Sequence, residues 1–314
     1  MNAVAHVLKC GHKIALTGLE VHDPVADCDQ KQIVIPLKRA GNLFLVEAQI
    51  DSVRGDFILD TGAPYLVLNQ TYFRQLIDGQ QHLAGGLGSS QVDAYRAVIP
   101  RFSFSGIAYE NVEADLTDLS HIEDDRNIKL LGLIGINLLT GFYVEIDLVK
   151  RQLVLTQVNE AGDPVVSSPD SLVQNHIPDL KTRFQYCDSK ILLPVIIGKK
   201  TLSWMLDTGA ETNVADVLAG KKVMNDFIVL RRSTVSGTGG QGQDVLSGVM
   251  PEMQIGTLPM EMQQTMVTSM RSLNDACSVY IDGILGYTFL SQGVFTLNFT
   301  KKEFCFYLYN SLNQ

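Results

Sequence analysis

Phe57-Ile58-Leu59-Asp60-Thr61-Gly62-Ala63 runs as a buried apolar strand into a tight polar turn with one carboxylate at its tip. The same order returns 147 residues later as Trp204-Met205-Leu206-Asp207-Thr208-Gly209-Ala210. A chain with two Asp-tipped turns can bring two carboxylates together, which points to acid/base chemistry on a water molecule.

Working outward, both halves carry the same punctuation. Leu131-Gly132-Leu133-Ile134-Gly135 precedes Asn137-Leu138-Leu139-Thr140, and Asp282-Gly283-Ile284-Leu285-Gly286 precedes Phe289-Leu290-Ser291. Gly132 and Gly135 match Gly283 and Gly286 at an offset of 151, close to the 147 of the aspartates. A period of that size is a duplicated lobe and not a solenoid. Each half also has a glycine-rich hairpin tip, at residues 84–90 and 236–242, suited to mobile backbone. Apolar runs at residues 33–37, 43–50, 97–104, 112–116 and 191–197 read as strands, and residues 71–77 as a short helix. Residues 143–155 and 295–308 read as hairpins about Val149-Lys150-Arg151 and Thr300-Lys301-Lys302. The expected organisation is an N-terminal extension over 1–30, a first lobe over 31–158, a Pro- and Ser-bearing linker over 159–189 and a second lobe over 190–314.

Composition narrows the function classes. With 314 residues, 46% hydrophobic and 19% charged, the chain can bury two cores of ordinary size. Its net charge is −9 and its basic residues are scattered pairs, so nucleic acid is a poor partner. Glu123-Asp124-Asp125 reads as a solvated turn. The uncharged stretch nearest to a membrane span, residues 130–144, is glycine-interrupted and too short. No charged start, apolar core and small-residue cleavage site follow one another at the N-terminus. That leaves a cytoplasmic protein, or a periplasmic or secreted one whose leader has been trimmed. Five cysteines, far apart and odd in number, form neither a disulfide framework nor a metal knuckle, although Cys277 and Cys305 could pair. No metal or organic cofactor is expected.

Two carboxylates at hydrogen-bond distance cannot both ionise cheaply, so they share a proton and one site holds both a base and an acid. One Asp-Thr-Gly triplet is weak, because a strand ending in an ordinary turn gives it too. Two copies, each after three apolar residues and before Ala, and each followed by Gly-apolar-apolar-Gly, are a strong constellation.

On these residues the sequence resembles the retropepsin-like aspartic proteases, over roughly 43–157 and 190–309. Both turns read Asp-Thr-Gly-Ala, where pepsins usually end in Ser. Residues 134–140 resemble the retroviral stretch in which Gly packs against the active-site loop, and residues 292–299 resemble the strand that closes that fold. The resemblance implies a mostly-β, bilobal, single-chain aspartic endopeptidase, a monomer with a cleft between two β-barrel lobes. It makes Asp60 and Asp207 the catalytic pair and Thr61 and Thr208 interlocking hydroxyls. Gly62, Ala63, Gly209 and Ala210 would line an extended peptide substrate, with flaps at Gly85-Gly86 and Gly239-Gly240 above it and Gly135 and Gly286 supporting the turns. Two departures stand out: Ile136 takes the place usually held by Arg in retroviral enzymes, and neither flap tip matches the pepsin flap tyrosine. Two rivals remain: a peptide-binding module on the same fold that does not cut, and a structural β protein whose Asp turns are only turns.

Overall fold

A computed structural model describes residues 24–76, 81–85, 91–167, 170–219, 227–236, 242–275 and 277–312. Three β-sheets organise the described residues, two of eight strands and one of six.

The first eight-stranded sheet belongs to the first half. Its centre is a strand trio. Gly132–Gly135 lies parallel to Val53–Asp60 on one side, with Asp60 opposite Gly135, and antiparallel to Leu66–Asn69 on the other. The second half builds the same trio from Lys200–Leu206, Gly283–Leu285 and Asn213–Asp216. In each lobe a further pairing, Leu43–Ile50 with Gln91–Phe104 and Lys190–Ile197 with Gly242–Ile255, folds the sheet back on itself towards a barrel. Closing the sheet in this way protects its long edges. The Asp strands are buried because their last four residues are apolar up to the carboxylate: Phe57, Ile58, Leu59 and Asp60 are all at most 2% exposed.

The glycine pairs that punctuate each half are explained by the trio. A Cβ on Gly132 would lie 2.0 Å from the Val67 carbonyl oxygen, and one on Gly135 would lie 2.1 Å from that of Tyr65. In the second half a Cβ on Gly283 would enter the Trp204 ring at 2.4 Å, and one on Gly286 would meet the Thr212 carbonyl at 2.3 Å. Only glycine lets a third strand slide this close beneath the turn.

The six-stranded sheet was not foreseen. The hairpins Phe142–Asp147/Gln152–Gln157 and Gly293–Asn298/Glu303–Leu308, each expected in its own lobe, join edge to edge. Tyr143 lies opposite Asn298 and Asp147 opposite Val294. Gln32–Pro36 and Leu180–Arg183 add the outer strands. Leu180–Arg183 and Gln185–Cys187 both lie within the span expected as linker. An offset of 147 maps them onto Gln32–Pro36 and Lys38–Ala40, so they repeat the opening strands of the first half. Leu180–Arg183 is short and mostly exposed, with only Leu180 buried, so it carried no apolar run to announce it.

The acidic run is not a turn, although its Asp124 and Asp125 are exposed as expected. It lies in the helix Ser120–Arg126, and Glu123 accepts from the Asn69 side chain, the Tyr72 hydroxyl and the Leu130 N–H. Cys28, Cys187, Cys277 and Cys305 are all free thiols. Residues 1–23 of the expected extension lie outside the described residues. Its end is tied down by Asp27, which exchanges backbone hydrogen bonds with Ala108. No helix among the described residues is long and apolar enough to cross a membrane.

Candidate active site

The two Asp turns meet at the junction of the lobes and are held there by a reciprocal set of hydrogen bonds. The Thr61 N–H donates to Thr208 Oγ1 and the Thr208 N–H to Thr61 Oγ1, both at 3.0 Å. Each hydroxyl then donates across the junction, Thr61 to the Leu206 carbonyl at 3.1 Å and Thr208 to the Leu59 carbonyl at 2.7 Å. Three buried polar groups on each side, the Thr N–H, the Thr hydroxyl and the Leu carbonyl, thus find a partner in the other lobe.

Each carboxylate is seated in its own turn. Asp60 Oδ1 accepts from the N–H groups of Gly62 at 2.8 Å and Ala63 at 3.1 Å, and Asp207 Oδ1 accepts from Gly209 N–H at 2.8 Å. Gly62 and Gly209 do not have the positive φ that a sharp glycine bend would show. Their role is space. A Cβ on Gly62 would lie 2.7 Å from the Asp207 carboxyl carbon, and one on Gly209 would lie 2.7 Å from that of Asp60. Each aspartate therefore packs over the glycine of the opposite turn.

Both aspartates are at most 1% exposed. Burial first, and then the adjoining Asp207 carboxylate, hold Asp60 well above the usual carboxylate range. Burial also pushes Asp207 up, to about 6, against the pull of Asp60, the turn N–H groups and Lys190. The Asp207 Oδ2 atom is buried and has no hydrogen-bond partner among the described residues. Both carboxyls thus hold a proton more tightly than a free aspartate, and one oxygen of the pair is open as an acceptor.

The sequence model of the family described as Aspartyl protease matches the chain twice, at residues 46–138 and 193–289. The chain belongs to the aspartyl protease family. The two matches fall one on each lobe, so this is a retropepsin-like member duplicated into a single bilobal chain. No curated protein matches it.

In this aspartyl protease family member the support beneath each turn is also paired. Ile136 N–H donates to the Ala63 carbonyl at 2.9 Å and Tyr287 N–H to the Ala210 carbonyl at 2.8 Å, each from the residue after Gly135 or Gly286. Ile136, standing where an Arg is usual in retroviral relatives, is fully buried in the main core. Of the flap glycines, Gly85 ends the strand Gln81–Gly85 opposite Gln91. Gly86, Gly239 and Gly240 lie outside the described residues.

Beside Asp60 is a cavity of about 20 Å³. Leu43, Ile58, Ile122 and Leu133 form its apolar lining, and His121, Asp125, Arg126 and Glu211 its polar one. Arg126, from the helix of the first lobe, forms an ion pair with Glu211, four residues beyond Asp207. Asn42 joins them, its N–H and Nδ2 both donating to Glu211. Sequence reading missed Asn42, Arg126, Glu211 and the buried Lys190. A signal for two of them was present. Superposing the halves at an offset of 147 sets Glu211 against Pro64 and Lys190 against Leu43, charged residues where the first copy has apolar ones.

Proposed function

We propose that the chain is an aspartic endopeptidase that hydrolyses peptide bonds with a water activated between Asp60 and Asp207. The observation that carries this reading is the seating of two buried, proton-sharing carboxylates, each over the glycine of the other's turn. In that arrangement one carboxylate takes a proton from the attacking water while the other carboxyl gives its proton to the scissile carbonyl oxygen. The raised proton affinity of both groups suits an acid and a base that exchange roles at mildly acidic to neutral pH. Thr61, Thr208, Gly135 and Gly286 act through position, keeping the carboxyls in contact. Gly62, Ala63, Gly209 and Ala210 face an extended substrate, which pairs with flap backbone in the manner of an added strand. One chain supplies both aspartates, so a monomer is a complete enzyme.

The test is an unbiased peptide library incubated with the protein across pH 3–8, with Asp60→Asn as control. Cleavage that disappears in the control, that a pepstatin-type hydroxyl peptide blocks and that chelators leave untouched supports the reading. Cleavage that survives in the control, or that zinc restores after chelation, overturns it.

A further inference from the structure

The two halves differ at the residue facing each aspartate across its sheet. Leu43–Ile50 pairs with Val53–Asp60 with Leu45 opposite Ile58, and two residues further this register sets Leu43 opposite Asp60. Lys190–Ile197 pairs with Lys200–Leu206 with Leu192 opposite Met205, which sets Lys190 opposite Asp207 in the same way. Residues directly opposed in an antiparallel pair share a face, with Cβ atoms about 4.5–5.5 Å apart. Leu43 fits that face, packed among Leu45, Ile58 and Leu133. The second copy puts an ammonium there instead, beside the apolar cluster of Leu192, Met205 and Ile284.

Lys190 is 0% exposed. Its Nζ, with three protons to donate, has one hydrogen bond among the described residues, to the Asp188 carbonyl at 3.3 Å, and no ion pair. Other charged and titratable groups lie around it. The Asp188 carboxylate takes the N–H and hydroxyl of Ser278, and the Cys187 thiol also lies against that hydroxyl. Arg271, in the short helix Arg271–Asn274, pairs with Asp275 just beyond it, and Asp216 takes the Tyr280 hydroxyl. Cys277, on the same cluster, is a thiol. A buried cation is costly unless anions lie near it, and the register sets Lys190 across from Asp207 on one face of the sheet.

We propose that Lys190 fixes the asymmetry of the pair, its buried ammonium holding Asp207 as the charged carboxylate and leaving the shared proton on Asp60. The first half has Leu43 at the matching position, and Arg126, in the cavity beside Asp60, is already paired with Glu211, whereas the Lys190 charge opposes the rise that burial imposes on Asp207. The proposal rests on the dyad reading above and assigns its roles. Water oxygen bonds to the carbonyl carbon, the water proton passes to Asp207, and the Asp60 proton passes to the carbonyl oxygen as the C=O π bond breaks. Lys190 touches no reacting atom and is a positioning residue for the proton.

The experiment is a carboxyl-¹³C NMR titration of the full chain labelled at aspartate, run beside the pH profile of kcat/KM. Wild type should titrate Asp207 below Asp60. K190L should move the Asp207 step, and the acidic limb of kcat/KM, up by roughly one unit, while K190R keeps both near wild type. L43K should move the Asp60 step down, reading the same effect from the other half should K190L not fold. A folded K190L with unchanged titration, or an L43K that leaves Asp60 where it was, overturns the proposal. The NMR titration does not depend on cleavage. A wild type that cuts nothing would sink the endopeptidase reading alone, and unchanged titration with intact cleavage would sink the proton assignment alone.

Discussion

At the scale of single residues, the proposed mechanism makes the aspartate pair act as a unit, and its variants should show it. Asp60→Asn and Asp207→Asn should each lose turnover on the order of a thousand-fold, with the double variant losing little more. Steady-state kinetics on the best library peptide checks this. The same carboxyls predict a stability effect of opposite sign. A carboxyl whose folded pKa is raised stabilises the fold fully below its unfolded pKa, and loses that contribution as pH rises through the folded value. Between about pH 4 and the value of about 6 to which Asp207 is pushed, wild type should lose stability as pH rises. Asp207→Asn should flatten that slope and raise Tm at pH 7 relative to wild type, read by thermal unfolding at a series of pH values. Gly62→Ala belongs here too. Its new methyl would overlap the Asp207 carboxyl, displacing the pair and cutting kcat/KM by about a hundred-fold. That the aspartates, threonines and glycines of the candidate site meet was legible because two copies of one short pattern are hard to produce by accident. Lys190 and Glu211 were not, because each appears in one copy only and a lone charge carries no sign of what it faces.

At the scale of elements, the contact between the turns depends on two hydroxyls. Thr61→Val keeps the shape but leaves the Thr208 N–H and the Leu206 carbonyl buried without a partner. Each orphaned group costs about 1–3 kcal/mol, so Thr61→Val and Thr208→Val should each lower the denaturant midpoint with an unchanged m-value. A change of less than about half a kcal/mol would mean that the turns are held together by something else. The strand trios were readable from their apolar runs and glycine pairs. Long hairpin arms were read too short: Gln91–Phe104 extends six residues before Ala97, through Asp93 and Arg96, which look like loop residues in sequence. Backbone pairing with a neighbouring strand, which polar side chains do not oppose, carries the strand through them. The helix Ser120–Arg126 was missed for a related reason. Glu123 looks like solvent-facing charge until Asn69 and Tyr72 are brought to it from 54 and 51 residues away and Leu130 from the end of its own loop.

At the scale of the molecule, two lobes were legible from the repeat, while the sheet that joins them was not. Period and pattern locate a hairpin, but nothing in Phe142–Asp147 or Gly293–Asn298 names the partner of its free edge. Because both edges are completed only in the whole chain, residues 1–158 and 185–314 made separately should each be inactive and should associate or precipitate, as light scattering would report. In the intact chain, activity per molecule should not change on dilution far below micromolar, whereas a loss that tracks dissociation would mean that the aspartates of two chains meet. The joining sheet also bears on how the protein is made. Tyr143 pairs with Asn298, which leaves the ribosome about 155 residues later. At roughly 5–20 residues per second, the edge of Phe142–Asp147 waits on the order of ten to thirty seconds for its partner. During that interval the nascent first lobe presents an open strand edge to neighbouring chains, so slowing translation should lower the yield of correctly joined molecules.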